Sequence, residues 1–260
     1  MTSLIKTTVD DRVATVTLSD PATLNAFSVP LTRELAQVLT EYAQPNSGVR
    51  CVILTGEGRG FCSGASLAPN SSEAMDDPGK VMEQVYNPFM RQMWEYPLPL
   101  IAAVNGPAAG IGCSLALTCD LVVAGESAYF LQAFRRIGLV PDGGATYLLS
   151  RLVGKARAME MALLGDKLPA RTALDWGLIN RCVADGDLMR EAMVLARAMA
   201  EGPKSLGLTR QLILRGLESN DFVGQLEAER QGQDVCRVSA DFAEGVAAFQ
   251  QKRAPRFTDR

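Results

Sequence analysis

The chain has 260 residues, 47% of them hydrophobic, and its 26 basic and 29 acidic side chains give a formal net charge of −3. It contains no histidine, which excludes Ser-His and Cys-His nucleophile pairs, a histidine general base and histidine-ligated zinc or haem. The small negative charge gives no general attraction to nucleic acid or to an anionic membrane, so we expect neither as a partner.

The first half of the chain alternates between strand and helix patterns. Residues 3–9 and 12–19 form a predicted β-hairpin, and a helix is predicted after the N-cap residue Ser28. The elements that follow are a strand at 50–54, a polar loop at 69–79, a helix at 80–95, a strand at 100–104, a helix at 111–119 and a strand at 121–124. Two successive units of strand, glycine-rich turn and helix imply parallel strands, and therefore an α/β core.

From Gly143 onward the pattern is almost wholly helical. Helices are predicted at residues 144–153, 155–165, 170–176, 187–201, 203–217 and 221–238, with a strand-like interruption at 178–183. Strands first and helices later predict an α/β body over residues 1–200 and a helical C-terminal region over residues 201–260 that serves assembly.

Six cysteines are scattered along the chain without a C-x-x-C pair, which favours reduced core thiols over a disulfide framework or a metal site. The first residues alternate like a strand and lack the continuous apolar run of a signal peptide. The most apolar stretch, Leu98 to Leu117, is interrupted by prolines and glycines. We therefore expect a cytoplasmic protein without a bound metal.

Two glycine-rich turns follow the predicted strands that end at Leu54 and Val104, and neither fits a P-loop, a dinucleotide fingerprint or a nucleophile elbow. Adjacent parallel strands end at the same edge of a sheet, so the two turns should lie close together. Ala65 and Ile111 could then donate their N–H groups to one oxygen atom, as in an oxyanion hole. The alternative is that the glycines only permit close packing.

These two turns lie in segments that resemble the oxyanion-hole blocks of the crotonase (enoyl-CoA hydratase/isomerase) superfamily. The blocks are CVILTGEGRGFCSGASL at 51–67 and IAAVNGPAAGIGCSL at 101–115, and further similar motifs are 21–26, 137–145, 163–166, 173–178 and 244–253. The resemblance implies an α/β, crotonase-like spiral of ββα units with a helical C-terminal oligomerisation region. It also implies an acyl-CoA thioester substrate and a homotrimer or dimer of trimers. Coenzyme A is expected as part of the substrate, with no other cofactor.

The chain departs from the family pattern where hydratases carry two glutamates, because the aligned residues are Ser114 and Phe134. Neither side chain transfers a proton as hydration requires, so water addition is not expected. Ser66 also stands where many members have aspartate. Asp142, in the turn VPDGG, occupies the position from which one carboxylate acts in members that isomerise double bonds. The alternative role for Asp142 is a helix N-cap.

A subgroup of the family without the two glutamates is the most similar in sequence, through residues 86–89, 133–142, 147–149, 239–246 and 257–258. Its members are taken to convert a ring epoxide of a thioester to an oxepin and to shift Δ3 double bonds to Δ2. The resemblance implies that Asp142 moves a proton while Ala65 and Ile111 hold the enolate oxygen, with Phe134 and Ile137 as apolar walls. The alternatives are another family reaction, such as thioester hydrolysis, decarboxylation or hydration, and a catalytically silent acyl-CoA binder.

Residues that bind coenzyme A are also implied by the resemblance. The backbone near three residues and the Ala65 loop would hold the adenine end: Asn25, Ala26 and Phe27. Phe249 and Phe257 would come from a neighbouring subunit.

Arg59 and Lys252 are candidate partners for the phosphates of coenzyme A, together with Arg253 and Arg256, and Ser63 belongs to the same predicted binding set. Solvated surface charge is the alternative for each cation. Tyr86, Met90 and Trp94 recur at helical spacing and line either an acyl pocket or the core.

Overall fold

The computed structural model describes residues 3–66 and 77–258. Over these residues the strands are β1 (Ile5–Asp10), β2 (Val13–Leu18), β3 (Cys51–Gly56), β4 (Leu100–Val104), β5 (Pro107–Ala109), β6 (Leu121–Gly125), β7 (Tyr129–Leu131), β8 (Leu168–Pro169) and β9 (Arg181–Val183). They form a six-stranded sheet in the order β1-β2-β3-β4-β6-β9 and a three-stranded sheet in the order β5-β7-β8. In the larger sheet β1 and β2 are antiparallel, whereas the strands from β2 to β9 run parallel.

Helices connect the strands and make up most of the C-terminal part. They are α1 (Val29–Tyr42), α2 (Pro78–Val81), α3 (Asn87–Trp94), α4 (Ile111–Thr118), α5 (Ala145–Leu152), α6 (Gly154–Leu164), α7 (Ala170–Asp175), α8 (Leu188–Ala200), α9 (Ser205–Glu218), α10 (Phe222–Arg237) and α11 (Ala240–Gln251). A π-helical segment, Met82–Tyr86, joins α2 to α3, and a 3-10 turn spans Ala133–Ile137. In the described part of the chain, no helix is long and apolar enough to cross a membrane.

Both faces of the larger sheet are covered, and every residue of β3 and β4 is buried. One face packs against α8 through its alanines, Ala192, Ala196 and Ala200. The other face contributes to the main core with side chains of α1, α3 and α4. A parallel sheet buried on both faces requires continuous apolar strands, which is the pattern of residues 51–54 and 100–104.

A buried arginine connects the C-terminal helices to the sheet. Arg210 of α9 is 7% exposed, and its Nε donates to Asp120 Oδ1 at 2.6 Å. Its remaining nitrogens donate to three backbone carbonyls at the end of α3 and just beyond it, those of Met93, Trp94 and Tyr96. A buried ion pair is tolerated when its other hydrogen-bonding groups are satisfied in this way. Arg210 therefore fixes α9 against α3 and the turn after α4.

The predicted α/β order is confirmed, with element bounds within a few residues of those predicted. The short strands β5, β7 and β8 and the last helix α11 were not predicted, and the predicted strand 178–183 is reduced to Arg181–Val183. Strands of two or three residues are too short to show an alternation in the sequence. Residues 69–76 of the predicted polar loop lie outside the described residues. The division at residue 200, the assembly role and the cytoplasmic location stay predictions.

Candidate active site

Ala65 and Ile111 directly follow two glycine turns that pack against each other. A parallel β-bridge pairs Cys62 with Ala108, and the Ala109 N–H donates to the Cys62 carbonyl at 2.9 Å. Two residues further along each segment, a Cβ at Gly110 would lie 3.9 Å from Gly64 Cα, so the residues just before Ala65 and Ile111 are in contact. Within residues 3–66 and 77–258, neither N–H has a hydrogen-bond acceptor, and that of Ile111 is the first of α4. The turns that carry these two N–H groups therefore touch, and the helix N-terminus favours negative charge at Ile111. Joint donation by the two groups to one oxygen atom stays a prediction.

The glycines that precede Ala65 and Ile111 allow these two backbone segments to approach each other closely. Gly64 has φ +99°, and a Cβ at this residue would lie 2.9 Å from the Ala109 carbonyl oxygen. Gly110 has φ +53°, and its Cβ would lie 3.9 Å from Gly64 Cα. A side chain at Gly64 would have to push the two backbones apart, so close packing and donor placement are one feature here, not alternatives.

The turn that carries Asp142 packs directly on the first turn of α4. A Cβ at Gly143 would lie 2.9 Å from Ser114 Cβ and 3.0 Å from Ile111 Cγ1. The Ser114 hydroxyl donates to the Asp142 carbonyl at 2.9 Å, and the Ala145 N–H donates to the same oxygen at 3.0 Å. Ser114, at one of the two hydratase glutamate positions, thus anchors the turn and leaves the proton-transfer role to another residue.

The Asp142 side chain does not cap α5. The N-cap of that helix is Gly144, without a side-chain hydrogen bond, so the alternative role predicted for Asp142 is wrong. Its Oδ1 is buried and has no hydrogen-bond partner among the described residues. Burial raises the pKa of Asp142 to about 6, although its own backbone N–H opposes the shift. An unpaired carboxylate with a pKa near neutrality is suited to taking up and returning a proton.

The two predicted apolar walls differ in position. Phe134 is buried, and its Cζ lies 3.5 Å from the position that a Cβ would occupy on Gly110. Its ring therefore covers the turn that precedes Ile111. Ile137 is 51% exposed and does not enclose the site within one chain. The second hydratase glutamate position therefore holds an apolar ring.

The residues predicted at the adenine end surround Ala65. Phe27 pairs with Ala65 in a parallel bridge, and Ser63 donates from its hydroxyl to the Thr23 carbonyl at 2.7 Å. The Asn25 side chain is fully buried and donates to the carbonyls of Glu57 and Gly60. Asn25 therefore fixes the 57–60 loop, and its buried side chain is not available to a ligand.

Two other predicted residues of this end flank the same loop. Ala26 is 8% exposed and donates its N–H to the Thr23 hydroxyl at 3.1 Å. Arg59 lies on the exposed rim of the 57–60 turn that Asn25 holds. Contact of either residue with coenzyme A stays a prediction.

The predicted C-terminal contacts lie elsewhere in the chain. Phe249 is 86% exposed near the end of α11, Lys252 follows that helix at φ +53°, and Phe257 packs near Gly245. Phe249 and Phe257 line a cleft of about 1530 Å³ between the C-terminal helices and the body, and none of Asn25, Ala26, Phe27, Ser63 and Ala65 lines it. A contribution of the two phenylalanines from a neighbouring subunit stays a prediction.

Arg253, a predicted tail cation, is paired with Glu244, whose carboxylate also accepts the Arg256 backbone N–H at 2.8 Å. Among other possible bases, Glu126 pairs with Arg171 at 2.9 Å, and the Tyr147 hydroxyl donates to the Leu217 carbonyl at 2.9 Å. Glu73 lies outside the described residues. Of the candidate bases in the described part of the chain, Asp142 is the one whose turn packs against Ile111.

Comparisons with known proteins identify the family. The model described as "Enoyl-CoA hydratase/isomerase" matches residues 8–260. A 1,2-epoxyphenylacetyl-CoA isomerase from Escherichia coli K12 is 43% identical over 264 residues, which cover 100% of both chains. A protein named "Probable enoyl-CoA hydratase" from Rhodobacter capsulatus is 40% identical and covers 98% of each.

Solved structures agree with this assignment. The crystal structure of an enoyl-CoA hydratase from Bacillus anthracis superposes with a TM-score of 0.92 at 30% identity, covering 99% of this chain and 100% of that one. The crotonase-like spiral predicted from the sequence is confirmed by this match. The chain belongs to the enoyl-CoA hydratase/isomerase family of the crotonase superfamily.

Proposed function

We propose that this protein isomerises CoA thioesters through an enolate held by Ala65 and Ile111, with Asp142 as the proton carrier. The observation that carries the proposal is the half-buried carboxylate of Asp142, whose Oδ1 has no hydrogen-bond partner among the described residues, on the turn packed against Ile111. The proposed substrates are 1,2-epoxyphenylacetyl-CoA and Δ3-enoyl-CoA thioesters. The 43% identity to a protein named for the epoxide reaction supports the first of these.

For a Δ3-enoyl thioester the steps balance with one base. Asp142 takes a proton from C2, and the electrons of that C–H bond move into a dienolate whose charge rests on the thioester oxygen. The Ala65 and Ile111 N–H groups donate to this oxygen and lower the barrier. The protonated Asp142 then returns its proton to C4, and the double bond lies between C2 and C3. In the epoxide reaction the same carboxylate either deprotonates carbon or protonates oxygen.

Hydration is the second candidate reaction, since several relatives carry hydratase names. Adding water requires activation of the water and a proton donor for the neighbouring carbon. The positions that supply these groups in hydratases hold Ser114, whose hydroxyl is bonded to the Asp142 carbonyl, and Phe134, which is apolar. These two residues favour isomerisation over hydration.

We therefore expect turnover of 3-hexenoyl-CoA to its conjugated 2-enoyl product, and negligible hydration of crotonyl-CoA. Both reactions are followed by the ultraviolet absorbance of the conjugated thioester, which appears in the first and disappears in the second. Conversion of 1,2-epoxyphenylacetyl-CoA is monitored by chromatography of the products. Hydration of crotonyl-CoA as fast as the isomerisation would contradict the proposal, and a silent acyl-CoA binder would turn over none of the three thioesters.

The pH dependence of isomerisation is expected to follow Asp142. Only the ionised carboxylate accepts the C2 proton, so kcat/KM should rise with pH, with a midpoint near the pKa of about 6, and then level off. The measurement is the initial rate of 3-hexenoyl-CoA conversion between pH 5 and pH 8. A rate that is flat over this range would mean that a group with an unshifted carboxyl pKa, or no titrating base, limits the reaction.

Assembly through the C-terminal helices is proposed on their surface chemistry. Several large apolar side chains of this region are more than 70% exposed in the single chain: Phe222, Val223, Val238 and Phe249. We propose that neighbouring subunits cover these side chains, because large exposed apolar patches mark protein interaction sites. We expect a trimer or a dimer of trimers in sedimentation velocity, and a monomer at micromolar concentration would contradict this.

A further inference from the structure

A buried tyrosine, Tyr86, has no role in the proposed reaction but bonds to Phe27, which pairs with Ala65. Tyr86 is 3% exposed, and its hydroxyl donates to the Phe27 carbonyl at 2.7 Å. Its ring packs against that of Phe27, with centroids 5.4 Å apart. Tyr86 ends the π-helical segment Met82–Tyr86, and such local widening of a helix is common at functional sites because it redirects a side chain.

The backbone of Phe27 holds the Ala65 peptide from both sides. The Phe27 N–H donates to the Gly64 carbonyl at 2.7 Å, and the Ser66 N–H donates to the Phe27 carbonyl at 3.3 Å. Ala65 lies between these two hydrogen bonds, so its free N–H is aimed by the position of Phe27. The Phe27 carbonyl thus accepts two hydrogen bonds, one from the Ser66 N–H and one from the Tyr86 hydroxyl. The bond from Tyr86 is the shorter of the two.

Tyr86 is also within electrostatic reach of the proton carrier. Burial raises the pKa of Tyr86 to about 12, and the charge of Asp142 adds to the shift. The phenol is therefore neutral and able to donate throughout the pH range in which Asp142 ionises. Tyr86 thus bonds to the residue that holds the Ala65 turn and also interacts electrostatically with Asp142.

We propose that Tyr86 is a positioning residue that fixes the Ala65 N–H toward the thioester oxygen through the Phe27 carbonyl. The inference rests on the proposed function only in taking a thioester oxygen as the acceptor. Without the hydroxyl, the Phe27 carbonyl keeps its longer bond from Ser66, so the turn should remain formed but less firmly held. A hydrogen bond weakens steeply when its donor is poorly aligned, so a misdirected Ala65 N–H stabilises the enolate oxygen less. We therefore expect kcat to fall while thioester binding changes little.

Tyr86→Phe tests the proposal, since it removes the hydroxyl and keeps the ring packed on Phe27. Tyr96→Phe is the matched control, because Tyr96 is also buried and donates to a backbone carbonyl, that of Leu39, at 2.9 Å. Complete loss of one oxyanion donor costs about 10²–10³ in rate, so loosening one should cost about tenfold in kcat with KM within about twofold. Tyr96→Phe should leave both constants unchanged while losing similar thermal stability.

A second measurement separates this inference from the proposed reaction. The infrared carbonyl stretch of a bound ¹³C-labelled acyl-CoA thioester reports polarisation by the two N–H groups and needs no turnover. We expect Tyr86→Phe to reduce the shift of this band to lower frequency, and Tyr96→Phe to leave it unchanged. An unchanged band and kcat in Tyr86→Phe would overturn the positioning role. Absence of isomerisation by the wild-type protein, with a shifted carbonyl band, would instead overturn the proposed function alone.

Discussion

Asp142→Asn is expected to lower isomerase turnover by about 10²–10⁴-fold, the contribution that a positioned acid-base group makes. Asparagine keeps the size of the side chain but cannot accept the C2 proton. The Asp142 turn is held by backbone contacts, from the Ser114 hydroxyl and the Ala145 N–H to the Asp142 carbonyl, so the substitution leaves them in place. Thioester binding, measured by calorimetry, should therefore change little.

The raised pKa of Asp142 determines whether Asp142→Asn stabilises or destabilises the protein at a given pH. The folded pKa of Asp142, about 6, lies above its ordinary value of 3.8. Its contribution to stability is therefore fully present below pH 3.8 and is lost as the pH rises through about 6, because the folded state must then hold an ionised, buried carboxylate. Asparagine is never ionised, so Asp142→Asn should be at least as stable as the wild type at pH 7. Thermal unfolding at pH 4 and pH 7 checks the sign.

Asp221→Asn is the matched control for a capping role. Asp221 is the N-cap of α10, and its carboxylate accepts the Gly224 N–H at 2.9 Å. Asparagine caps nearly as well as aspartate, so this control should keep full turnover. If Asp142→Asn retained more than a tenth of wild-type turnover, the base would have to be sought at Glu126, Tyr147 or Glu73.

The large sheet and the order of its elements were predictable from the sequence because long periodic segments show in the pattern. Residues 51–54 and 100–104 are continuous apolar runs, and the sheet they join is buried on both faces. The second sheet was not predictable, because its strands have two or three residues and are held by long-range pairing. The isolated bridge between Cys62 and Ala108 is also a long-range contact, and it joins β5 to the segment that leads to Ala65.

The candidate site was likewise predictable from the sequence only in part. Glycines at 64 and 110, together with the resemblance to the family, were enough to predict the donors at Ala65 and Ile111. The sequence left Asp142 between two roles, since an aspartate before two glycines fits an N-cap as well as a proton carrier. The role of Ser114 as an anchor for the Asp142 carbonyl was not predictable, because it depends on a hydrogen bond across 28 residues.

Gly64→Ala is expected to lower isomerase turnover by about 10²–10³-fold, the effect of losing one oxyanion donor. Gly64 adopts φ +99°, which side chains rarely adopt, and its Cβ would lie 2.9 Å from the Ala109 carbonyl oxygen. Both atoms in this contact belong to the backbone or are fixed to it, so relief requires the 64–66 segment to move away from Ala109, at the end of β5 and just before α4. That movement separates the Ala65 N–H from the Ile111 N–H, and one oxygen atom can no longer contact both.

Gly177→Ala separates this local effect from general backbone strain. Gly177 has φ +78°, and a Cβ there would meet nothing within 4 Å. Both variants pay for a left-handed conformation, about 1–2 kcal/mol of unfolding free energy, but only Gly64→Ala disturbs the donors. We therefore expect both to unfold at a lower temperature, with kcat and the carbonyl band of the bound thioester altered in Gly64→Ala alone. Turnover of Gly64→Ala above a third of wild type, in a folded protein, would show that the two N–H groups do not act together on the thioester oxygen.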